Sequence, residues 1–187
     1  MPMHEQSQTT TTETAESLRW YALKVFYNRI MKIESVLTGA KIRSYIPMRS
    51  VVQVVGGRRV SHRKPAISSL MFMQCSEVEA TQIERRLMGE AMIYRNRGEK
   101  LPTAIPNEQM QMFIRVTSIE DFGMEYLGEV SEEWTKGDKV RVTGGLFEGA
   151  EGYIKRIKGN HRLVVAIEGI TAVATSYIPT CYLERIE

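Results

Sequence analysis

Apolar and polar positions follow one rhythm in the first half of this chain and another in the second. Trp20-Tyr-Ala-Leu-Lys-Val25 reads as a strand. Ile30, Ile33 and Leu37 then return at helical spacing and predict a helix over 28–37, capped by Asn28. A strand over 43–48 is expected next, then a hairpin around Gly56-Gly57-Arg58-Arg59, then a strand over 69–74. Ser76-x-x-Glu79 fits a capping box and opens a second helix, with Ala80, Ile83 and Leu87 inward and an end near Gly89. A strand over 92–95 follows. Ile105-Pro106 introduces a third helix, capped by Asn107, with Met110, Phe113 and Ile114 as its apolar stripe. The order β-α-β-β-α-β is that of a ferredoxin-like, split βαβ sandwich with one helix appended.

Beyond residue 138 the rhythm shortens. Strand-like runs at 139–143, 152–157, 162–167, 171–175 and 182–186 predict a small SH3-like β-barrel. In the first run Val140 and Val142 alternate with Lys139, Arg141 and Thr143. A Gly159-Asn160 turn is expected between the second and third runs. Gly144, Gly145, Gly149 and Gly152 fall where tight turns or positive φ are expected. The fold class is therefore α+β, with a barrel of about 50 residues, a size at which a single core is marginal.

Composition sets the outer bounds. The 187 residues, 43% apolar and 25% charged, suit a soluble globular chain of one or two small domains. No apolar run approaches the roughly 18 residues of a membrane span. Residues 1–17 lack the basic start and apolar core of a secretory signal and, with the run Thr9 to Thr12, read as a disordered tail. The expected division is a sandwich over 18–118, a linker over 119–135 and a barrel over 136–187. The linker is acidic, yet Phe122, Tyr126 and Trp134 predict that parts of it dock on a domain. Cys75 and Cys181 have no metal-ligand spacing; two buried thiols of a cytoplasmic protein are expected, with a disulfide as the lesser alternative.

The net charge of +3 is unevenly spread. No acidic residue occurs over 35–76, where Lys41, Arg43, Arg49, Arg58, Arg59, Arg63 and Lys64 all lie, and no base occurs over 120–133. The first region suits either a polyanion partner or a solvated hairpin. His4, His62 and His161 are scattered, and no nucleophile elbow, carboxylate pair or phosphate loop appears. The segment 144–149 is too short for a P-loop and lacks its Lys-Ser/Thr. No catalytic residue, metal ligand or cofactor site is expected, and the chain does not read as an enzyme.

The segment Lys136-Gly-Asp-Lys-Val-Arg-Val-Thr-Gly-Gly-Leu-Phe-Glu-Gly-Ala-Glu-Gly-Tyr-Ile154 resembles the KOW motif, and the order of elements before it resembles the NusG N-terminal (NGN) domain. Together the likeness covers residues 18–187. It points to the NusG family, most like its specialised antitermination paralogues of the UpxY, RfaH and LoaP kind. The resemblance implies a cytoplasmic, monomeric transcription elongation and antitermination factor with no membrane contact. It implies binding to the RNA polymerase elongation complex, with the NGN domain on the clamp helices of the largest subunit. Suppressed pausing and termination in long surface-polysaccharide operons would follow. A general housekeeping NusG and a ribosome-associated KOW RNA-binding protein are the alternatives.

The resemblance also places residues. The polymerase patch maps to Tyr21, Phe26 and Tyr27, with core or helix-staple packing as the alternative for Phe26, and to Ile67, Leu70 and Met71. The family usually has aromatics and Pro-Gly-Tyr before that strand, where this chain has Lys64-Pro-Ala-Ile-Ser-Ser69. Arg58, Arg59, Arg63 and Lys64 would face upstream or non-template DNA. Phe147 stands where the family has Gly-Pro-Phe, with Leu146 in place of the proline. An exposed Phe147 with Ile170 nearby would suit contact with Rho or a small-subunit ribosomal protein; a barrel-plugging Phe147 is the equal alternative.

Overall fold

The computed structural model describes residues 17–128 and 136–186. The expected tail, apart from Ser17, and residues 129–135 of the expected linker lie outside the described residues.

One antiparallel strand pair with both faces covered forms the centre of the first unit. Strands β1 (Arg19–Val25) and β5 (Leu70–Cys75) pair antiparallel, flanked by β6 (Ala91–Ile93) and β2 (Arg43–Tyr45) in the order β2-β5-β1-β6. Helix α1 (Ile30–Gly39) links β1 to β2, and α2 (Glu77–Arg86) links β5 to β6, which is the expected split βαβ arrangement. Strand alternation divides the side chains. Tyr21, Leu23, Val25, Met71 and Met73 join Ile30, Ile33, Leu37, Ala80 and Ile83 of the helices in one core cluster. Trp20, Ala22, Leu70 and Phe72 belong to the other, with Met110, Phe113 and Val116 of α3 (Asn107–Thr117).

Helix α2 starts as expected. The Ser76 side chain accepts from the Glu79 N–H at 3.3 Å, while Glu79 Oε2 accepts from the Ser76 N–H at 2.9 Å. The other two expected caps are absent. Asn28 has φ 54° and lies outside α1, whose preceding residue Arg29 makes no side-chain cap. Asn107 is already the first helical residue of α3, behind Pro106. The chain enters α1 from the Tyr27-Asn28 turn and α3 from the extended Ile105-Pro106, which bridges to Trp20, so neither asparagine stands at the boundary position.

The hairpin β3 (Met48–Val55) and β4 (Arg58–Pro65) is a two-stranded sheet of its own, in register from Met48↔Pro65 to Val55↔Arg58. Gly56 and Gly57, at φ 57° and 77°, make the two-residue turn that positive φ permits. The strand expected over 43–48 is therefore split, its last residue belonging to the hairpin.

The second unit is a six-stranded antiparallel sheet in the order β12-β8-β9-β10-β11-β7. The expected strands are all present as β8 (Lys139–Val142), β9 (Glu151–Ile157), β10 (Asn160–Ile167), β11 (Thr171–Tyr177) and β12 (Leu183–Arg185). The sixth, β7 (Glu125–Gly128), comes from the stretch expected to be linker and pairs with β11. Asp121 helps seat it by accepting from the N–H groups of Ser176 and Gly123 at 3.0 and 2.9 Å. The turn between β9 and β10 is Lys158-Gly159, φ 52° and 83°, one residue earlier than expected. Gly152 does not turn at all. It lies inside β9, where a Cβ would come within 2.4 Å of the Val164 carbonyl oxygen, so close strand approach excludes a side chain.

Helix α3 joins the two units. Phe113 meets Phe72 edge-on at 5.6 Å between ring centroids. Thr117 Oγ1 bonds to the Phe113 carbonyl and to the Tyr45 hydroxyl, both at 2.6 Å. Towards the barrel, Arg115 Nη2 donates to the Glu148 carbonyl at 2.7 Å and the Glu151 N–H points at Met112 sulfur at 3.2 Å. One apolar cluster runs from Trp20 through α3 to Val142, Leu163, Val173 and Ile178.

Two stability outcomes follow from this packing. Phe113→Ala should cost about 3–5 kcal/mol, the usual loss for a buried aromatic, measured by urea denaturation. Arg95 hydrogen bonds, with the Ile93 N–H (2.8 Å to Oε1) adding to them, hold the Glu84 carboxyl below its ordinary value despite partial burial. A depressed carboxyl stabilises the fold above its unfolded-state value and loses that contribution as pH falls through the folded value. Stability should therefore drop on acidification below about pH 4.3, and Glu84→Gln should show a smaller drop over the same range.

Candidate protein and nucleic-acid interfaces

Backbone strain marks the first candidate. After β1 the chain turns through Tyr27 and Asn28, both left-handed at φ 57° and 54°. Asparagine tolerates that region, whereas a bulky residue such as tyrosine does so at a cost of about 1–2 kcal/mol. The turn is held from both sides: Phe26 N–H donates to the Glu90 carbonyl at 2.8 Å and Arg29 N–H to the Phe26 carbonyl at 3.3 Å. Glu90 in turn pairs through its carboxylate with Arg29 at 2.8 Å and Lys32 at 2.7 Å. The Lys32 hydrogen bond first, with Arg29 assisting, holds the Glu90 carboxyl below its ordinary value.

Strain held in this way presents an aromatic to solvent. Tyr27 is 78% exposed, 6.4 Å from the half-buried Phe26 ring and under the Arg29 guanidinium at 5.6 Å. Met88 and Met92, which flank Glu90, are exposed at the same sheet edge, since β6 pairs with the end of β1. The sequence pattern did not single out these methionines. Their apolar side chains beside the Gly89 turn were the available signal.

The remaining members of the expected polymerase patch lie elsewhere. Tyr21, Leu70 and Met71 are fully buried, because β1 and β5 are the inner strands of a sheet covered on both faces. They offer no surface to a partner as the chain is arranged here. Burial, with the Glu77 charge second, raises the Tyr21 phenol above its ordinary value. Ile67 is half-buried and packs against the cluster around α3.

The hairpin is the second candidate. Arg58, Arg59 and Arg63 are exposed and Lys64 is half-buried. At its root a cleft of about 360 Å³ separates Met48, Arg49 and Arg63 from the acidic segment Glu120, Asp121 and Glu125. Ser50 Oγ donates across it to Glu120 Oε1 at 3.2 Å. The Tyr126 phenol in its wall is pushed up, mainly by burial and next by Tyr45, with Arg49 opposing. The acidic segment is itself engaged: Glu125 pairs with Lys158 at 3.0 Å and with Arg162 at 3.4 Å.

On the barrel, Phe147 and Ile170 are both 4% exposed and sit in the apolar interior, so the exposed arrangement expected of them is not found and the plugging alternative holds. Outward-facing apolar groups at that end are Leu146, Tyr177 and Tyr182 instead, around a notch of about 80 Å³. The Tyr182 ring lies against Gly144, where a Cβ would come within 3.0 Å of it.

Cys75 is buried, but Cys181 is exposed, which corrects the expectation of two buried thiols. Both are free. Burial pushes the Cys75 thiol up to about 12, with the Glu79 charge adding to it. Among the described residues no group of three His, Cys, Asp or Glu side chains could hold a metal ion, and no helix is long and apolar enough to cross a membrane.

These features define a chain of two packed units that expose aromatic, apolar and basic groups at their surfaces. A family model described as transcription termination factor nusG matches residues 18–114, just over half of the chain. The protein belongs to the NusG family, whose members are transcription factors and not enzymes. A search of curated proteins found no match. Among solved structures, NusG of Thermotoga maritima, described for its domain interaction, aligns over 91% of this chain and 98% of its own. The identity there is 18% and the TM-score 0.44.

Thiol chemistry gives a direct check on the described packing. A thiol reagent at mildly alkaline pH should label Cys181 in the native protein and Cys75 only after unfolding, because the thiolate is the reactive form. Rapid native labelling of both would contradict the buried position of Cys75.

Proposed function

We propose that this protein is a transcription elongation and antitermination factor that binds RNA polymerase through its N-terminal unit and suppresses pausing and termination. The observation that carries this reading is the family match over 18–114, the unit that also holds the strained, exposed Phe26-Tyr27 turn. Proteins of the NusG family bind RNA polymerase. Phe26 and Tyr27 form the centre of the polymerase contact, with Ile67 at its margin, and the clamp helices of the largest subunit are the partner surface. Holding the clamp closed disfavours the paused state, and a bias of about 1–2 kcal/mol changes pause occupancy roughly 5- to 30-fold.

Arg58, Arg59, Arg63 and Lys64 place the hairpin against DNA of the same complex. The C-terminal unit serves as a KOW domain, with Leu146, Tyr177 and Tyr182 available for a small-subunit ribosomal protein or Rho. A role at particular long operons, as in the UpxY, RfaH and LoaP kind, is supported by the replacement of the family's aromatic segment with Lys64-Pro-Ala-Ile-Ser-Ser69. It works in the cytoplasm as a monomer.

Binding to a halted elongation complex tests the central claim. Native protein should bind and speed passage through pauses. Tyr27→Ala, at an exposed site, should keep the fold and weaken binding about tenfold, as loss of an aromatic anchor does. Unchanged affinity would remove this turn from the interface, and no binding by the native chain would remove the polymerase reading itself.

A further inference from the structure

We infer that the free chain pairs with a second copy of itself along the outer edge of β3, about a two-fold axis through Gln53. This pairing is independent of the function proposed above, whose working monomer is the form left when two copies separate.

The hydrogen-bond pattern of the hairpin leaves particular backbone groups over. Ala66 N–H donates to the Pro47 carbonyl at 2.7 Å, one step before the ladder pair Met48↔Pro65. Bonded and non-bonded pairs alternate along an antiparallel ribbon. The bonded pairs are therefore Arg49↔Lys64, Val51↔His62, Gln53↔Val60 and Val55↔Arg58. Val52 and Val54 of β3, like Arg59 and Ser61 opposite them, turn their N–H and C=O groups outward. The ribbon is a two-stranded sheet of its own, and among the described residues those groups of Val52 and Val54 have no partner. The two edges differ. Arg59 and Arg63 stand on the β4 edge, where cations guard a strand against further pairing. From Ser50 to Val55 the β3 edge has no charge and no proline, and Val52, Val54 and Val55 are exposed. An open, β-branched edge of this kind is a template for another strand.

The order of residues on that edge selects the occupant. Val51-Val52-Gln53-Val54-Val55 reads the same in both directions. Two copies running antiparallel about Gln53 set Val52 opposite the partner's Val54, Val51 opposite the partner's Val55, and Gln53 opposite the partner's Gln53. The outward groups at Val52 and Val54 are symmetric about that axis, so each N–H meets a C=O of the other chain. Valine meets valine on both faces of the new sheet, and no charge opposes another across these pairs. The β4 strands with their cations lie outermost, three strand spacings or about 14 Å apart, beyond the roughly 8 Å Debye length of physiological salt. They guard the outer edges of the four-stranded sheet, so the assembly closes at two copies. A single strand edge buries less than the about 1,200 Å² of a stable interface, so the pair is weak and forms as concentration rises.

Sedimentation equilibrium of the full chain over a concentration series at physiological salt tests the pairing. The apparent mass should rise from 21.4 kDa towards twice that value. Gln53→Lys, at an exposed position, sets like charges opposite one another at the axis and should weaken association about fivefold. Mixing it in equal amount with Gln53→Glu should restore association, which also shows that both variants fold. Val52→Pro removes an N–H that the ladder does not use and should weaken association more than about tenfold, with circular dichroism confirming its fold. A native mass that stays at 21.4 kDa at every concentration overturns the pairing and leaves the edge to a strand of another protein. A dimer indifferent to Val52→Pro overturns the choice of edge, and a mixture that does not recover overturns the axis at Gln53.

Discussion

The two described units are fastened to each other by one helix, α3. Helix α3 lays Met110 and Phe113 on the second face of the N-terminal sheet, and the next turn reaches the barrel through Met112 and Arg115. A sheet of four strands with α1 and α2 on one face would otherwise leave Trp20, Leu70 and Phe72 uncovered. Exposure of such residues is costly, at about 25 cal/mol per Å² of apolar area, so α3 completes the sandwich. Because the same helix abuts the barrel, the two units share a continuous apolar cluster. The barrel, small enough to have a marginal core alone, gains packing from its neighbour.

The surfaces proposed to bind sit outside that shared cluster. The Phe26–Asn28 turn and the β3–β4 hairpin both project from the rim, and each is held by local means. Hydrogen bonds to the Glu90 backbone and ion pairs to its carboxylate fix the turn; two glycines with positive φ close the hairpin. Charge is sorted in the same way. The hairpin lies in the run without acids, and Glu120 and Glu125 of the acidic stretch after α3 are held by Ser50, Lys158 and Arg162.

Much of this architecture was legible in the residues, for identifiable reasons. Ser76 and Glu79 encode their capping box directly, and helical spacing gave Ile30, Ile33 and Leu37 as core. The barrel strands were found because β8 alternates and Gly-rich turns separate the others. Burial of Tyr21, Leu70 and Met71 was not legible as such: a strand covered on both faces carries no alternation, so an inner strand and an apolar docking patch read alike. Asn28 and Asn107 looked like caps because the residue type is right, whereas the backbone entering each helix decides whether a cap forms. Strand β7 was hidden in a four-residue stretch too short to show a period. The exposed Tyr27 was anticipated by family likeness, but its left-handed backbone was not, since nothing in a tyrosine signals positive φ.

The hairpin's separate pairing has one more consequence. Its strands pair only with each other, and Met48, at its root, packs against a core cluster. Residues 49–64 stand outside the buried clusters, so substitutions there leave those clusters as they are. Such a segment tolerates changes of charge or length without disturbing the packing beneath it. The sandwich beneath, where one lost methylene group is felt, is held to a narrow range of sequences. Freedom to change and tight packing thus fall to separate parts of one chain.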